Sequence, residues 1–254
     1  MSSYSWRQLP SLIDNYIYLV ENTDTGQCIV VDPGEAAPVL DFFKKDSSKK
    51  PVAIFLTHHH GDHTDGVKGI LDVFDVPVKG NEADLDRIPS LSKTINPGES
   101  FDCLGLSWET IACDGHTLNQ MAFYCQGQNW LFSGDTVFSL GCGRLFEGSP
   151  AQMLESLESI AKLPDETLIF IPHEYTLHNL NFSLSILKDD SELLSLKREL
   201  ESSSGPTVPT SLRFERKNNL FFRTQDPVLK QALNLPDASA LEIFTELRKR
   251  RDNF

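Results

Sequence analysis

The chain lacks most of the features that would take it out of the ordinary soluble class. No apolar stretch approaches the ~20 residues of a bilayer span, so a membrane partner is not expected. The N-terminal segment Met1-Ser2-Ser3-Tyr4-Ser5-Trp6-Arg7 has neither the charged nor the apolar region of a signal peptide. Five cysteines, an odd number without a Cys-x-x-Cys pair, argue against a disulfide framework. A reducing cytoplasm is the expected home. Cations are scarce: 23 Lys and Arg stand against 36 Asp and Glu, a formal net charge of −13. A basic footprint is missing, which excludes nucleic acid as an expected partner. No internal repeat or low-complexity tract is evident. What remains, 40% hydrophobic and 23% charged residues, describes a globular protein, and 254 residues allow one or two domains with a large core.

The most informative stretch is Thr57-His58-His59-His60-Gly61-Asp62-His63. It follows a short apolar run, Val52-Ala53-Ile54-Phe55-Leu56, which reads as a buried strand. A strand ending in a tight turn throws His58, His60, Asp62 and His63 into one small volume. Imidazole and carboxylate together suit zinc, iron or manganese. A solvated His-rich loop is the plain alternative, and the rest of the chain argues against it. Asp114-Gly115-His116-Thr117 follows a second apolar run, Trp108 to Cys113. Ser133-Gly134-Asp135-Thr136 follows a third. Ile169-Phe170-Ile171-Pro172-His173-Glu174-Tyr175 closes a fourth. Each sets a His or Asp just after a strand-like segment, beside Gly or Pro turn chemistry. Five of the seven His residues occupy such positions. We read His58, His60 and His116 as one metal site and Asp62, His63 and His173 as a second. Asp135 bridges them, because a carboxylate has two oxygens and can serve two cations.

The pattern His-x-His-x-Asp-His, a lone His after Gly, an Asp in Gly-Asp-Thr and a last His resembles the metallo-β-lactamase superfamily. Val31-Asp32-Pro33-Gly34 looks like that family's early strand and turn. Gly141-Cys142-Gly143-Arg144-Leu145-Phe146-Glu147-Gly148, His173-Glu174-Tyr175-Thr176 and the C-terminal Leu247-Arg248-Lys249-Arg250-Arg251-Asp252-Asn253-Phe254 resemble the glyoxalase II (hydroxyacylglutathione hydrolase) family. The resemblance runs from about Asn15 to Phe254. It implies an α+β fold: an αββα four-layer metallo-β-lactamase sandwich over residues 1–174, carrying catalysis, then a small α-helical substrate-binding domain over 175–254.

The resemblance also implies an activity. Two divalent metal ions, zinc first and iron or manganese as alternatives, hold a water that becomes a hydroxide nucleophile near neutral pH. It attacks an S-acylglutathione thioester such as S-D-lactoylglutathione, giving D-lactate and glutathione, the second step of methylglyoxal detoxification. Asp62 and Asp135 are the expected catalytic carboxylates. Carried over by position, Arg248 and Arg251 grip the glutathione carboxylates, and Arg144, Phe146 and Tyr175 complete the substrate set. A monomer acting on a small molecule is expected. Plain alternatives exist for several of these: a core Tyr, a surface Arg, a solvated helix end where cations favour the dipole. Phe146 occupies a position where some relatives have Tyr. Asp32 is read as orienting a ligand His. Cys142 is read as structural, and His59 and His178 as surface or packing residues. One departure stands out: where many relatives continue Gly-His-Thr-x-Gly-His, this chain has Asn119 and Gln120 in place of the last two. A persulfide dioxygenase-like mono-iron oxygenase is the rival reading; a non-enzymatic scaffold would lack ligands, and all seven are present.

Along the chain, Tyr16–Val20 and Cys28–Val31 read as strands joined at Asp24-Thr25-Gly26. Ala36–Lys45 and Val67–Phe74 read as helices. Glu99–Cys113 reads as a hairpin around Gly105, and Met121–Cys125 with Trp130–Ser133 as a second around Gly127. Met153, Leu154, Leu157 and Ile160 mark a helix. Tyr175–Leu187 and Glu192–Leu200 look helical, the link Ser202-Ser203-Ser204-Gly205-Pro206 breaks the pattern, and Ala238–Arg251 is a final helix with Leu241, Phe244 and Leu247 as its apolar stripe.

Overall fold

The structure, a computed structural model, describes residues 3–254; Met1 and Ser2, the start of the segment read for a leader, lie outside them. The chain forms two compact units. One comprises the residues up to Ala112 together with Asn119–Gly134; the other comprises Cys113–Leu118 and Asp135–Phe254.

The first unit opens with a six-stranded sheet in sequence order: β1 (Tyr4–Ser11), β2 (Asn15–Asn22), β3 (Gln27–Val31), β4 (Lys50–Phe55), β5 (Val78–Asn81) and β6 (Lys93–Ile95). The first three strands pair antiparallel and β3 to β6 pair parallel. Parallel neighbours need crossovers. Helix α1 (Ala37–Lys45) supplies one, and the short α2 (Gly61–Thr64) and α3 (Val67–Leu71) supply the next. Val39 and Phe43 of α1 and Val67 and Ile70 of α3 bury against Ile17, Leu19, Val30 and Ile54 of the sheet. The other face meets an antiparallel meander of β7 (Ser100–Cys103), β8 (Leu106–Ala112), β9 (Met121–Cys125) and β10 (Trp130–Phe132). Phe55 is the hinge of this packing. Its ring lies 5.5, 5.2 and 4.8 Å from those of Phe101, Trp108 and Phe123. Ile54 and Phe55 thus point to opposite apolar layers, which is why β4 reads as an unbroken hydrophobic run.

The consequence for function lies at strand ends. Both β3 and β4 run toward the same edge, and there Asp32 follows one and Thr57 to His63 the other. The crevice beyond the carboxyl ends of parallel strands is where open sheets of this kind place ligands.

The second unit carries the hairpin β11 (Val137–Phe138) and β12 (Gly141–Cys142), helix α4 (Pro150–Ile160), the pair β13 (Leu168–Phe170) and β14 (Thr210–Ser211), and helices α5 (Thr176–Ile186), α6 (Ser191–Ser202), α7 (Leu212–Asn218), α8 (Pro227–Ala232) and α9 (Ala240–Asp252). Capping boxes Ser149/Gln152 and Ser239/Glu242 start α4 and α9. Rings of Phe182, Phe221 and Phe244 stack through its core. The α9 stripe differs from expectation. Leu241 is exposed, and the buried face is Ile243, Phe244, Leu247 and Arg248. The helix turns a buried arginine inward, which an apolar-stripe reading passes over. Helix α3 stops at Leu71, short of Phe74, and β1, β5, β6, α7 and α8 were not anticipated. No helix among the described residues is long and apolar enough to cross a membrane.

Glu215 of α7 is fully buried. Burial pushes its carboxyl up to about 7, against the hydrogen bonds from Thr210, Asn219 and the Leu140 amide. A raised carboxyl binds its proton more tightly when folded, so its contribution is complete at pH below the unfolded value and fades as pH rises through 7. Taking the ordinary 4.5 as reference, the contribution is about 3 kcal/mol, most of it lost between pH 5 and pH 8. Melting curves of the wild type and Glu215→Gln at several pH values check this: over that range the wild type should lose roughly 5 °C relative to the variant. A constant difference would show that the carboxyl does not titrate there.

Candidate metal centre

In the first unit the ligand-type residues cluster on the turn after β4. The rings of His58 and His60 lie 4.8 Å apart and those of His58 and His63 4.2 Å apart. His63 Nε2 is 3.5 Å from Asp62 Oδ2. Behind them stands Asp32, buried and in the left-handed region at φ 49°. Its Oδ1 accepts the Thr57 N–H at 2.8 Å, its Oδ2 accepts the Thr57 hydroxyl at 2.8 Å, and Oδ2 faces His63 Nδ1 at 3.1 Å. Because the Thr57 hydroxyl proton goes to Asp32, its oxygen accepts from His58 Nδ1, 3.0 Å away. A proton therefore sits on Nδ1 of His58, which leaves its Nε2 lone pair as the ligand atom. Asn15 Nδ2 donates to Asp62 O and Oδ2 at 3.3 and 3.1 Å, steadying the carboxylate from β2.

The second unit holds the remaining three. His116 Nδ1 donates to the Arg144 carbonyl at 2.7 Å, which fixes the same tautomer. His116 Nε2 lies 3.3 Å from Asp135 Oδ2, and His173 Nε2 lies 3.4 Å from Asp135 Oδ1. One carboxylate thus offers one oxygen to each of two imidazoles. His173 is set between Tyr175, stacked at 4.9 Å and 5°, and the edge of Phe138 at 5.4 Å. Gly143 is needed here, since a Cβ on it would stand 1.9 Å from the Asp135 carbonyl oxygen.

Also in this unit is a cavity of about 210 Å³ lined by Phe138, Cys142, Arg144, Tyr175, Arg248, Arg251 and Asp252. Four of the five expected substrate residues meet there. The fifth, Phe146, is largely exposed and packs 5.7 Å under the Arg144 guanidinium. Arg248 donates to the Cys142 carbonyl at 3.0 Å and to Asp252 at 2.5 Å. Arg251 donates to Asn179 Oδ1 at 3.2 and 3.1 Å. Burial, then the neighbouring Arg248 charge, lowers the Arg251 pKa. Three cations against one carboxylate make the cavity suit an anion. Burial pushes the Cys142 thiol up, which agrees with a structural rather than nucleophilic role.

These features meet a consistent set of likenesses. A family model described as the metallo-beta-lactamase superfamily matches residues 12–173, and one described as the hydroxyacylglutathione hydrolase C-terminus matches 174–254. A curated relative from Citrobacter koseri named hydroxyacylglutathione hydrolase is 44% identical over 97% of this chain and 98% of its own. One of the same name from Yersinia pseudotuberculosis is 42% identical over the same shares. The chain belongs to the hydroxyacylglutathione hydrolase family. Its fold is likewise that of the metallo-beta-lactamases, α+β with a helical C-terminal segment. A crystal structure of ETHE1 from Myxococcus xanthus shares that fold at TM-score 0.66 and 21% identity, covering 96% of this chain and 90% of that one.

The family's departure at Asn119 and Gln120 has a local explanation. Asn119 takes φ 71°, a left-handed conformation that asparagine tolerates better than most residues. Its side chain donates to Asp84 at 3.1 Å, and its carbonyl accepts from Asn81 at 2.6 Å. Gln120 is fully buried. His59 faces Asp84 at 4.0 Å, and His178 packs against Phe254 at 5.5 Å, so neither joins the ligand rows. Sequence reading passed over Thr57, Asn15 and Phe138. Thr57 carried a signal, as a hydroxyl directly before a ligand; the other two carried none.

The residues fit a metal. The Nε2 lone pair of His116 faces a carboxylate oxygen of Asp135 at 3.3 Å, a repulsive contact unless a cation or proton lies between. All seven expected ligands are groups able to hold a divalent ion. Replacing Asp32 with Ala removes the acceptors behind His63 and Thr57. Divalent-metal affinity, measured by competition with a chelator, should fall about 10–100-fold; unchanged affinity would mean that the imidazoles orient themselves.

Proposed function

We propose that this protein is a glyoxalase II-type thioester hydrolase that converts S-D-lactoylglutathione to D-lactate and glutathione, the second step of methylglyoxal detoxification. The observation that carries the reading is the Asp135 carboxylate, with one oxygen facing His116 and the other His173, beside an arginine-lined cavity. In this reading His58, His60 and His116 hold one divalent ion and Asp62, His63 and His173 a second, with Asp135 between them. Zinc is the first choice for such donors, and iron or manganese also suit them. Bound ions would lower the pKa of a water and polarise the thioester carbonyl.

The chain's own residues do the rest. Arg251 and Arg248, with Arg144 beside them, bind the glutathione carboxylates, and Tyr175 lines the path from the cavity to His173. Asp62, fixed by Asn15, and Asp135 are the two carboxylates that touch the reacting centre. A thiol has an ordinary pKa of ~8.5, so glutathione leaves as thiolate and no general acid is required. Residues 1–174 then carry catalysis and 175–254 substrate binding. All five thiols are free, which suits a reducing cytoplasm. A monomer acting on a small molecule, without nucleic acid, completes the reading. The mono-iron oxygenase is not favoured, since relatives across 97% of the chain carry the hydrolase name.

Loss of the thioester absorbance of S-D-lactoylglutathione, with metal analysis of the same sample, tests the proposal; an intact substrate would sink it. Asp135→Ala should abolish turnover and lower the metal content. Arg251→Ala should raise KM roughly 10–100-fold, the worth of a charge-assisted hydrogen bond, with kcat little changed.

A further inference from the structure

The loop joining β11 to β12 is tied down along its backbone by side chains of which only Arg248 has a part in the chemistry above. Asn219 Nδ2 donates to the carbonyls of Phe138 at 3.3 Å and Gly141 at 2.8 Å. Asn179 Nδ2 donates to the Ser139 carbonyl at 2.9 Å, and Arg248 to that of Cys142 at 3.0 Å. The Leu140 N–H donates to Glu215 Oε2 at 2.9 Å. Leu140 itself sits at φ 60°, in the left-handed region that a branched apolar side chain disfavours. A Cβ on Gly141 would stand 2.6 Å from Asn179 Nδ2, so the next residue must be bare for the clamp to close. The loop is therefore held in a conformation that it would not choose alone.

Glu215 is the centre of this arrangement. Besides Leu140 it accepts from Asn219 Nδ2 at 2.9 Å and from the Thr210 hydroxyl at 2.7 Å. This buried carboxyl is not among the residues that line the cavity, nor in the candidate ligand groups of the described residues. It faces the loop whose side chains Phe138 and Cys142 line the cavity, and Phe138 presents its edge to His173 and Tyr175.

We propose that Glu215 is a positioning residue: by holding the Leu140 amide and orienting Asn219, it fixes the β11–β12 loop and with it the Phe138 and Cys142 wall of the substrate cavity. The identity of the ligand rests on the hydrolase reading; the clamp itself does not. Alanine at 215 strands the buried Leu140 N–H, takes the acceptor from the Thr210 hydroxyl and leaves Asn219 only its two carbonyls. Glutamine keeps the shape, because its oxygen accepts from Leu140 and Asn219 while its amide donates to the Thr210 hydroxyl.

Amide hydrogen exchange on the full chain, with KM and kcat for S-D-lactoylglutathione, provides the test. Glu215→Gln should match the wild type in both. Glu215→Ala should lose about tenfold or more of its protection across residues 137–143 while α5 and α9 keep theirs. Its KM should rise about tenfold while kcat changes far less. Asn219→Ser, which keeps an acceptor for the Phe221 amide but cannot reach the two carbonyls, should reproduce the local loss and answers the question if Glu215→Ala does not fold. Unchanged protection over 137–143 would overturn the proposal. So would loss spread evenly through the helical region, or a glutamine variant as impaired as alanine. A wild type that leaves the thioester intact overturns the hydrolase reading, while the exchange data still judge the clamp.

Discussion

A buried imidazole binds a cation only through the nitrogen that lacks a proton, so this site depends on what stands behind the other one. Three oxygens stand there: in the first unit the Thr57 hydroxyl behind His58 and Asp32 Oδ2 facing His63 Nδ1, and in the second unit the Arg144 carbonyl behind His116. Two of the three lead to Asp32. Its carboxylate takes the Thr57 hydroxyl proton, which turns that oxygen toward His58, and it also takes the Thr57 amide. One acidic side chain thus sets the tautomer of His58 through a relay and stands 3.1 Å from Nδ1 of His63.

The sheet explains why Asp32 and Thr57 meet. β3 and β4 are parallel neighbours, with Val31 paired to Phe55, and the Asp32 amide donates to the Phe55 carbonyl at 3.0 Å. The positive φ of Asp32 turns its side chain back across the strand end toward Thr57. The core beneath is deep: Ile54 faces the helices and Phe55 the aromatic layer. Burying a side chain of that size stabilises by roughly 1.5–3 kcal/mol, so the strand ends are anchored by apolar packing while the polar groups beyond them are free to be chosen for chemistry. The loop around His116 is anchored differently: its carbonyl accepts from the amides of Phe146 and Glu147, Gly115 accepts from Gly148, and the Leu118 amide donates to Glu147 Oε2.

The seven candidate ligands stand out in the sequence because metal chemistry restricts residue type, and because they follow apolar runs beside Gly or Pro. Strand β4, the two hairpins and α1 were legible for the same reason of pattern. Strand β1 was not: its residues are half-buried or exposed up to the buried Ser11, with Pro10 near its end, so it shows no apolar signature. The inward face of α9 was misread because Arg248 is buried by hydrogen bonds and by the ring of Phe221 at 5.3 Å, not by hydrophobicity. Glu215 and Asn219 were invisible for a related reason. A buried polar residue is recognised by its partners, and those lie about 75 residues away in the chain. Arg144 and Arg251 were placed by likeness to a family, and only the cavity gives them a shared physical setting.

That setting also reconciles an anionic ligand with a protein of net charge −13. At physiological ionic strength the screening length is about 8 Å, so distant carboxylates count for little inside a narrow cavity. Asp252 neutralises Arg248 by a short contact. Arg251 has a neutral acceptor, Asn179, and lies near the Arg248 charge, so its surroundings oppose its own ionisation. A guanidinium nevertheless stays protonated at any physiological pH. Charge that cannot leave and is poorly compensated is relieved by an arriving carboxylate, and it is not relieved by a neutral or cationic ligand. The empty cavity is therefore electrostatically costly in the one way that selects anions, and this selection is built from two helix turns of α9 and one residue of α5 rather than from the charge of the whole chain.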